Sequence, residues 1–166
     1  VIEVVGHGVQ IDWTTLRLEV SAGARGAGPE AIEAIEQLAR SSVEAAYHQA
    51  VGSVRITADA RVADLVADSD LGAAVRSRIS RWEVDEATYT SSGRVDLHAV
   101  LSLQDLLRPW ALQIARSGVP PVEGGGPSGL IIDARGTDLV PAYALRLVAP
   151  DREVLYAGEL WEERAV

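Results

Sequence analysis

Residues 82–103, WEVDEATYTSSGRVDLHAVLSL, decide the fold. Two strand-like runs, Trp82–Thr90 and Arg94–Leu103, flank Ser91-Ser92-Gly93. A short joint ending in Gly between such runs is a hairpin signal. In the second run Val95, Leu97, Ala99, Leu101 and Leu103 share one face. Asp96, His98, Val100 and Ser102 share the other, because successive side chains of a strand alternate. Such a strand belongs to an antiparallel sheet covered on one side.

Toward the N-terminus, Ile2–Val20 reads as two strands. Val9, Ile11 and Trp13 alternate with polar residues, and Leu16, Leu18 and Val20 alternate in the opposite phase. Thr14-Thr15 at the phase change predicts a turn or bulge. Gly6 and Gly8 flank His7 and predict a bulge or a close backbone approach. Ala22–Gly28, with Gly23, Gly26 and Gly28, reads as a loop. A helix follows, with Gly28 as N-cap, Pro29 at its first position and Glu30 near its positive end. Ile32, Ile35, Leu38, Ala39, Val43 and Ala46 form its apolar face, and Gly52 stops it. Ser53–Thr57 reads as a short strand. Ala60–Ile79 reads as one or two helices with Val62, Leu65, Val66, Leu71, Val75 and Ile79 inward and a break at Asp68-Ser69-Asp70.

Beyond the hairpin, Gln104–Arg116 reads as a short helix interrupted at Pro109. Adjacent prolines and three adjacent glycines make residues 117–128 a linker. Strands are expected near Gly129–Ala134, Ala142–Val148 and Glu153–Tyr156, with a last one at Leu160-Trp161. The predicted class is α+β: an antiparallel sheet with helices packed on one face, followed by a small C-terminal β unit. The predicted division is residues 1–116, a linker at 117–128, and the β unit at 129–166.

The 166 residues are 48% apolar, enough for a core without staples. Phe, Met and Cys are absent, so Val, Leu, Ile and Ala build that core, with the four Trp adding bulk. Without Cys there are no disulfides, thiolate metal ligands or thiol nucleophiles. The net charge of −9 opposes binding to nucleic acid and to anionic lipid. No run reaches the length of a membrane span. The chain begins at Val1 and no stretch reads as a signal peptide, so any address or anchor is expected upstream.

Residues 124–129, GGGPSG, lack the Lys and the following helix of a phosphate loop and read as linker. His7, His48 and His98 are isolated in sequence, and only His7 with His98 would converge, if their strands were neighbours. Asp133 and Arg135, two apart on an expected strand, share a face and form an ion pair. The carboxylate pairs Glu83/Asp85 and Glu162/Glu163 have no nucleophile beside them in sequence. No cofactor, metal ligand set or catalytic residue is assigned. A set of assembly or anion contacts is: Asp133, Arg135, Arg146 and Arg152.

Two segments resemble a known family. Residues 2–13, IEVVGHGVQIDW, followed by a strand, a Gly-rich stretch and an Ala-rich helix ending at Gly52, are similar to bacterial twenty-kilodalton surface lipoproteins, including flagellar outer-membrane lipoproteins. Residues 128–136, SGLIIDARG, with Pro141-Ala142 downstream and an acidic turn before Val154-Leu155-Tyr156, resemble a segment that follows that domain. The family's acidic-Gly turn is here Pro150-Asp151-Arg152-Glu153, Leu106–Arg116 is an insertion, and the family's lipidated Cys is not in this chain. The resemblance implies a non-enzymatic cell-envelope protein in the periplasm or at the outer membrane, held to the membrane only through an upstream anchor. Its implied partners are copies of itself or other envelope proteins in a flagellar-type assembly. The alternative function is a small module binding an anionic ligand through the Gly6–Gly8 region and the set Arg135, Arg146 and Arg152. An unrecognised hydrolase ranks last; it needs a histidine within hydrogen-bond reach of a Ser, Thr or carboxylate in a cleft.

Overall fold

The computed structural model describes residues 1–26, 32–67, 69–116, 133–144, 146–151 and 154–157. Five strands form one sheet: β1 (Ile2–Gly6), β2 (Val9–Asp12), β3 (Arg17–Arg25), β4 (Glu83–Thr90) and β5 (Arg94–Ser102). Their order is β1-β2-β3-β5-β4, and every neighbouring pair is antiparallel. The helices α1 (Ile32–Val51), α2 (Val62–Ala67), α3 (Ser69–Ile79) and α4 (Leu103–Arg116) form the second layer, with α1 across β3 and β5. A separate hairpin pairs β6 (Arg146–Val148) with β7 (Val154–Ala157). The architecture is the α+β class that the 82–103 hairpin predicts.

The core lies between sheet and helices. All five alternating residues of β5 and its exit, Val95, Leu97, Ala99, Leu101 and Leu103, are buried against Leu18 and Val20 of β3 and Val9 and Ile11 of β2. The β4–β5 joint turns at Gly93, whose φ of 73° is a left-handed conformation that Gly adopts without steric cost.

The N-terminal region departs from expectation. Ile2–Val20 contributes three strands, not two, since Gly6-His7-Gly8 is the turn of a hairpin. A bulge lies between Val4 and Gly6, and Thr14-Thr15 is the expected turn. Ala22–Arg25 is no loop; it continues β3 and pairs with Leu97 through Arg94. Small residues have weak strand propensity, but nine consecutive pairs with β5 override it.

In α1 the inward set is Ile35, Ala39, Val43, Tyr47, Ala50 and Val51, while Ile32 and Leu38 are exposed. The expected stripe includes two residues that face solvent and stops short of Tyr47, Ala50 and Val51. The Gly28–Glu30 cap lies outside the described residues. Ser53–Thr57 forms a turn and a single bridge, Arg55 to Arg61, rather than a strand. The break between α2 and α3 falls where expected; Asp68 itself lies outside the described residues.

Helix α4 is continuous through Pro109, not interrupted there. Proline removes the N–H that would bond the Asp105 carbonyl one turn earlier. Arg78 of α3 donates to that carbonyl at 3.0 Å instead. Ser102 caps the helix start, accepting from the Asp105 N–H at 3.2 Å. Leu103, Leu106, Leu107 and Trp110 then form one buried face, and that burial holds the helix together across the proline.

Part of the 129–166 region packs into the common core. Tyr143 and Ala144 are buried in the common core, and their N–H groups bond the carbonyls of Arg55 and Ile56 at 3.0 and 2.7 Å. The Tyr143 ring meets Trp110 edge to face at 6.1 Å. The linker, Gly129–Ile132 and the last strand expected at Leu160-Trp161 lie outside the described residues.

Candidate functional site

The sequence candidates Asp133 and Arg135 sit in an exposed turn, not on a strand. Gly136, at a φ of 77°, allows the chain to reverse there. The Arg135 N–H donates to Asp133 Oδ1 at 3.1 Å, and its guanidinium grips both carboxylate oxygens at 2.8 and 2.6 Å. Arg135's hydrogen bonds, side chain first and backbone second, hold the Asp133 carboxyl below the usual carboxylate range. The pair closes on itself: the fork that an anionic ligand would use is occupied by a neighbour. Arg146 begins β6 opposite Ala157, and Arg152 lies outside the described residues.

His48 lies 3.9 Å from Glu44 on the solvent side of α1. Among the described residues no three His, Asp or Glu side chains group to hold a metal ion. No helix among them is long and apolar enough to cross a membrane.

The open face of the sheet carries the remaining polar constellation. There His98 of β5 stands opposite Ser21 of β3 and opposite Glu86 of β4. Ser21 Oγ and His98 Nδ1 are 3.1 Å apart. Two residues along β3, Glu19 accepts from the Gln10 amide at 2.7 Å. Gly8 creates the hollow above them. Its φ is 69°, its carbonyl accepts the Ser21 N–H at 2.7 Å, and any side chain on it would strike the Ser21 carbonyl. The result is a shallow concavity of about 150 Å³, floored by Gln10, Glu19, Ser21 and His98 and walled by Val4, Gly6, Gly8 and Val9. His7 is not among its lining residues, so His98 finds Ser21 rather than His7.

The pairing of Ser21 with His98 was missed in the sequence. Both residues could be assigned to the solvent face from alternation. Their meeting depends on the β3–β5 register, which joins residues 77 positions apart.

The sheet's two outer edges differ. Edge β4 presents Glu83, Asp85 and Glu86, all exposed, beside a bulge between Val84 and Glu86. Edge β1 has one charged side chain, Glu3. Glu3 accepts from Arg55 at 2.6 Å and from the Trp13 indole at 2.9 Å, which ties the edge to the α1–α2 connection. Ile2 and Val4 are 62% and 76% exposed on the open face.

No protein-family model, curated protein or solved structure matches this chain.

Proposed function

We propose that this protein is a non-enzymatic structural component of the bacterial cell envelope, held in the periplasm or at the outer membrane, that assembles with copies of itself. The observation that carries the assembly reading is the pair of unlike sheet edges. Both edges carry a bulge, but one is lined with exposed carboxylates, as in proteins that prevent strand addition, whereas the other presents the exposed apolar side chains of Ile2 and Val4. The envelope location rests on the resemblance of residues 2–13 and 128–136 to surface lipoproteins. Two differently tagged copies of the full-length protein, expressed together, provide the test. The reading expects both tags in the envelope fraction and each tag to bring down the other. Recovery from the cytosol, or of one tag alone, refutes it.

The Ser21–His98 contact favours a second reading, hydrolysis, because it meets the minimum of a histidine beside a hydroxyl in a hollow. Among the described residues no carboxylate bonds His98 to orient the ring, which is what separates a dyad from a hydrogen bond between two neighbours. Turnover of an activated ester that disappears in Ser21→Ala would support hydrolysis. Equal rates in both proteins would remove it.

A further inference from the structure

We propose that β1 is a self-complementary docking strand: two copies of this chain pair β1 against β1, antiparallel, about a two-fold axis perpendicular to the sheet. This rests on the assembly reading above and names its contact.

The phase of the β1–β2 ladder shows which β1 backbone groups have no partner in the sheet among the described residues. Trp13 N–H bonds the Val1 carbonyl at 2.9 Å, and the register continues Ile2 to Asp12, Glu3 to Ile11 and Val4 to Gln10. In an antiparallel ladder hydrogen-bonded and non-hydrogen-bonded pairs alternate. Val1 and Glu3 therefore face β2, whereas Ile2 and Val4 turn their own N–H and C=O groups outward. A second strand can satisfy all four.

The side chains fit the same operation. A two-fold axis normal to the sheet keeps both open faces on one side. Ile2 and Val4 of one copy then meet Ile2 and Val4 of the other as cross-strand apolar pairs. Glu3 falls on the two-fold axis opposite its own equivalent, on the helix side, where each carboxylate is already held by Arg55 at 2.6 Å and by the Trp13 indole at 2.9 Å.

Charge and strand direction disfavour the other ways of joining two such five-stranded sheets edge to edge. The chain carries −9, so most of its surface repels a second copy. Two β4 edges would bring Glu83, Asp85 and Glu86 against their equivalents. Every neighbouring pair in the sheet is antiparallel, so β1 and β4 run in the same direction. A head-to-tail join of β1 to β4 would thus be parallel, the weaker pairing, and would set Ile2 and Val4 against the β4 carboxylates. The isologous β1 contact closes at two copies.

The test uses sedimentation velocity of the whole chain across a wide concentration range. Val4→Pro removes an outward N–H without touching the β1–β2 ladder, and Val4→Asp places a carboxylate on the exposed edge. Both are expected to weaken dimerisation about tenfold or more, the loss of one to two net hydrogen bonds plus an apolar contact. Thr88→Ala, on the opposite edge and without a change of charge, is expected to leave it unchanged. If Val4→Pro loses the far-ultraviolet dichroism of the fold, Val4→Asp decides, since that side chain is exposed. A Val4→Asp protein that dimerises like the wild type, or a Thr88→Ala protein whose dimerisation changes, overturns the β1 contact while leaving assembly intact. A wild-type chain that stays monomeric throughout overturns both.

Discussion

Replacing Tyr47 by Phe should change stability with a sign that depends on pH. Tyr47 is fully buried on the inner face of α1, stacked on Trp82 at 6.0 Å, and its hydroxyl donates to the Leu18 carbonyl at 3.3 Å. That distance is long for an O–H···O bond, so its net worth lies at the lower end, about 0.5–1 kcal/mol. Near neutral pH the Phe variant is less stable by this amount. Burial first, and the Glu19 charge second, push the hydroxyl's pKa far above its ordinary value. In the unfolded chain the group ionises near pH 10. Above that pH the native state holds a proton that the unfolded state releases, so stability falls as pH rises. With the folded hydroxyl protonated throughout, the loss is ~0.4 kcal/mol at pH 10 and ~1.4 kcal/mol at pH 11. Phe has no such loss, and the other tyrosines cancel in the comparison. Urea unfolding of both proteins from pH 7 to 11 should show the two stability curves crossing between about pH 10 and 11. A difference that stays constant to pH 11 would refute the buried, protonated hydroxyl.

Other positions test other parts of the account. Gly8→Ala meets both a positive φ and the Ser21 carbonyl, and should lower stability by about 2 kcal/mol or more, read from the urea midpoint. Tyr143→Ala empties the site against Trp110 and should cost about 3 kcal/mol, with a single unfolding transition. A separate early transition would instead make residues 133–157 an independent unit. Pro109→Ala restores the missing donor to the Asp105 carbonyl and should raise the melting temperature. No gain would mean that Arg78 already compensates in full.

The parts of the fold that could be read from the sequence are those where one local rule acted alone. In β5, alternation over nine residues, broken only by Val100, meets a Gly-ended turn, and the hairpin and both its faces follow. The α1 stripe and the α2–α3 break are legible for the same reason. Misreadings came where tertiary contacts outweighed local preference. Val4 and Val5 are both apolar, so β1 has no alternation to mark it, and Gly6-His7-Gly8 passed as a bulge. Ala22–Arg25 is a strand because β5 lies beside it. Pro109 sits within a helix because Arg78 from another helix serves the carbonyl it strands. The site was less legible than the fold. Asp133 and Arg135 were singled out correctly as a pair, but on a strand that is a turn. The Ser21–His98 contact and the difference between the β1 and β4 edges depend on strand order and register, which no single stretch of the sequence encodes.

The most direct test of assembly is the molar mass of the purified chain by light scattering, followed to high protein concentration. The account predicts a mass that rises to at least twice the 17.6 kDa of one chain. A mass of 17.6 kDa at every concentration would contradict it.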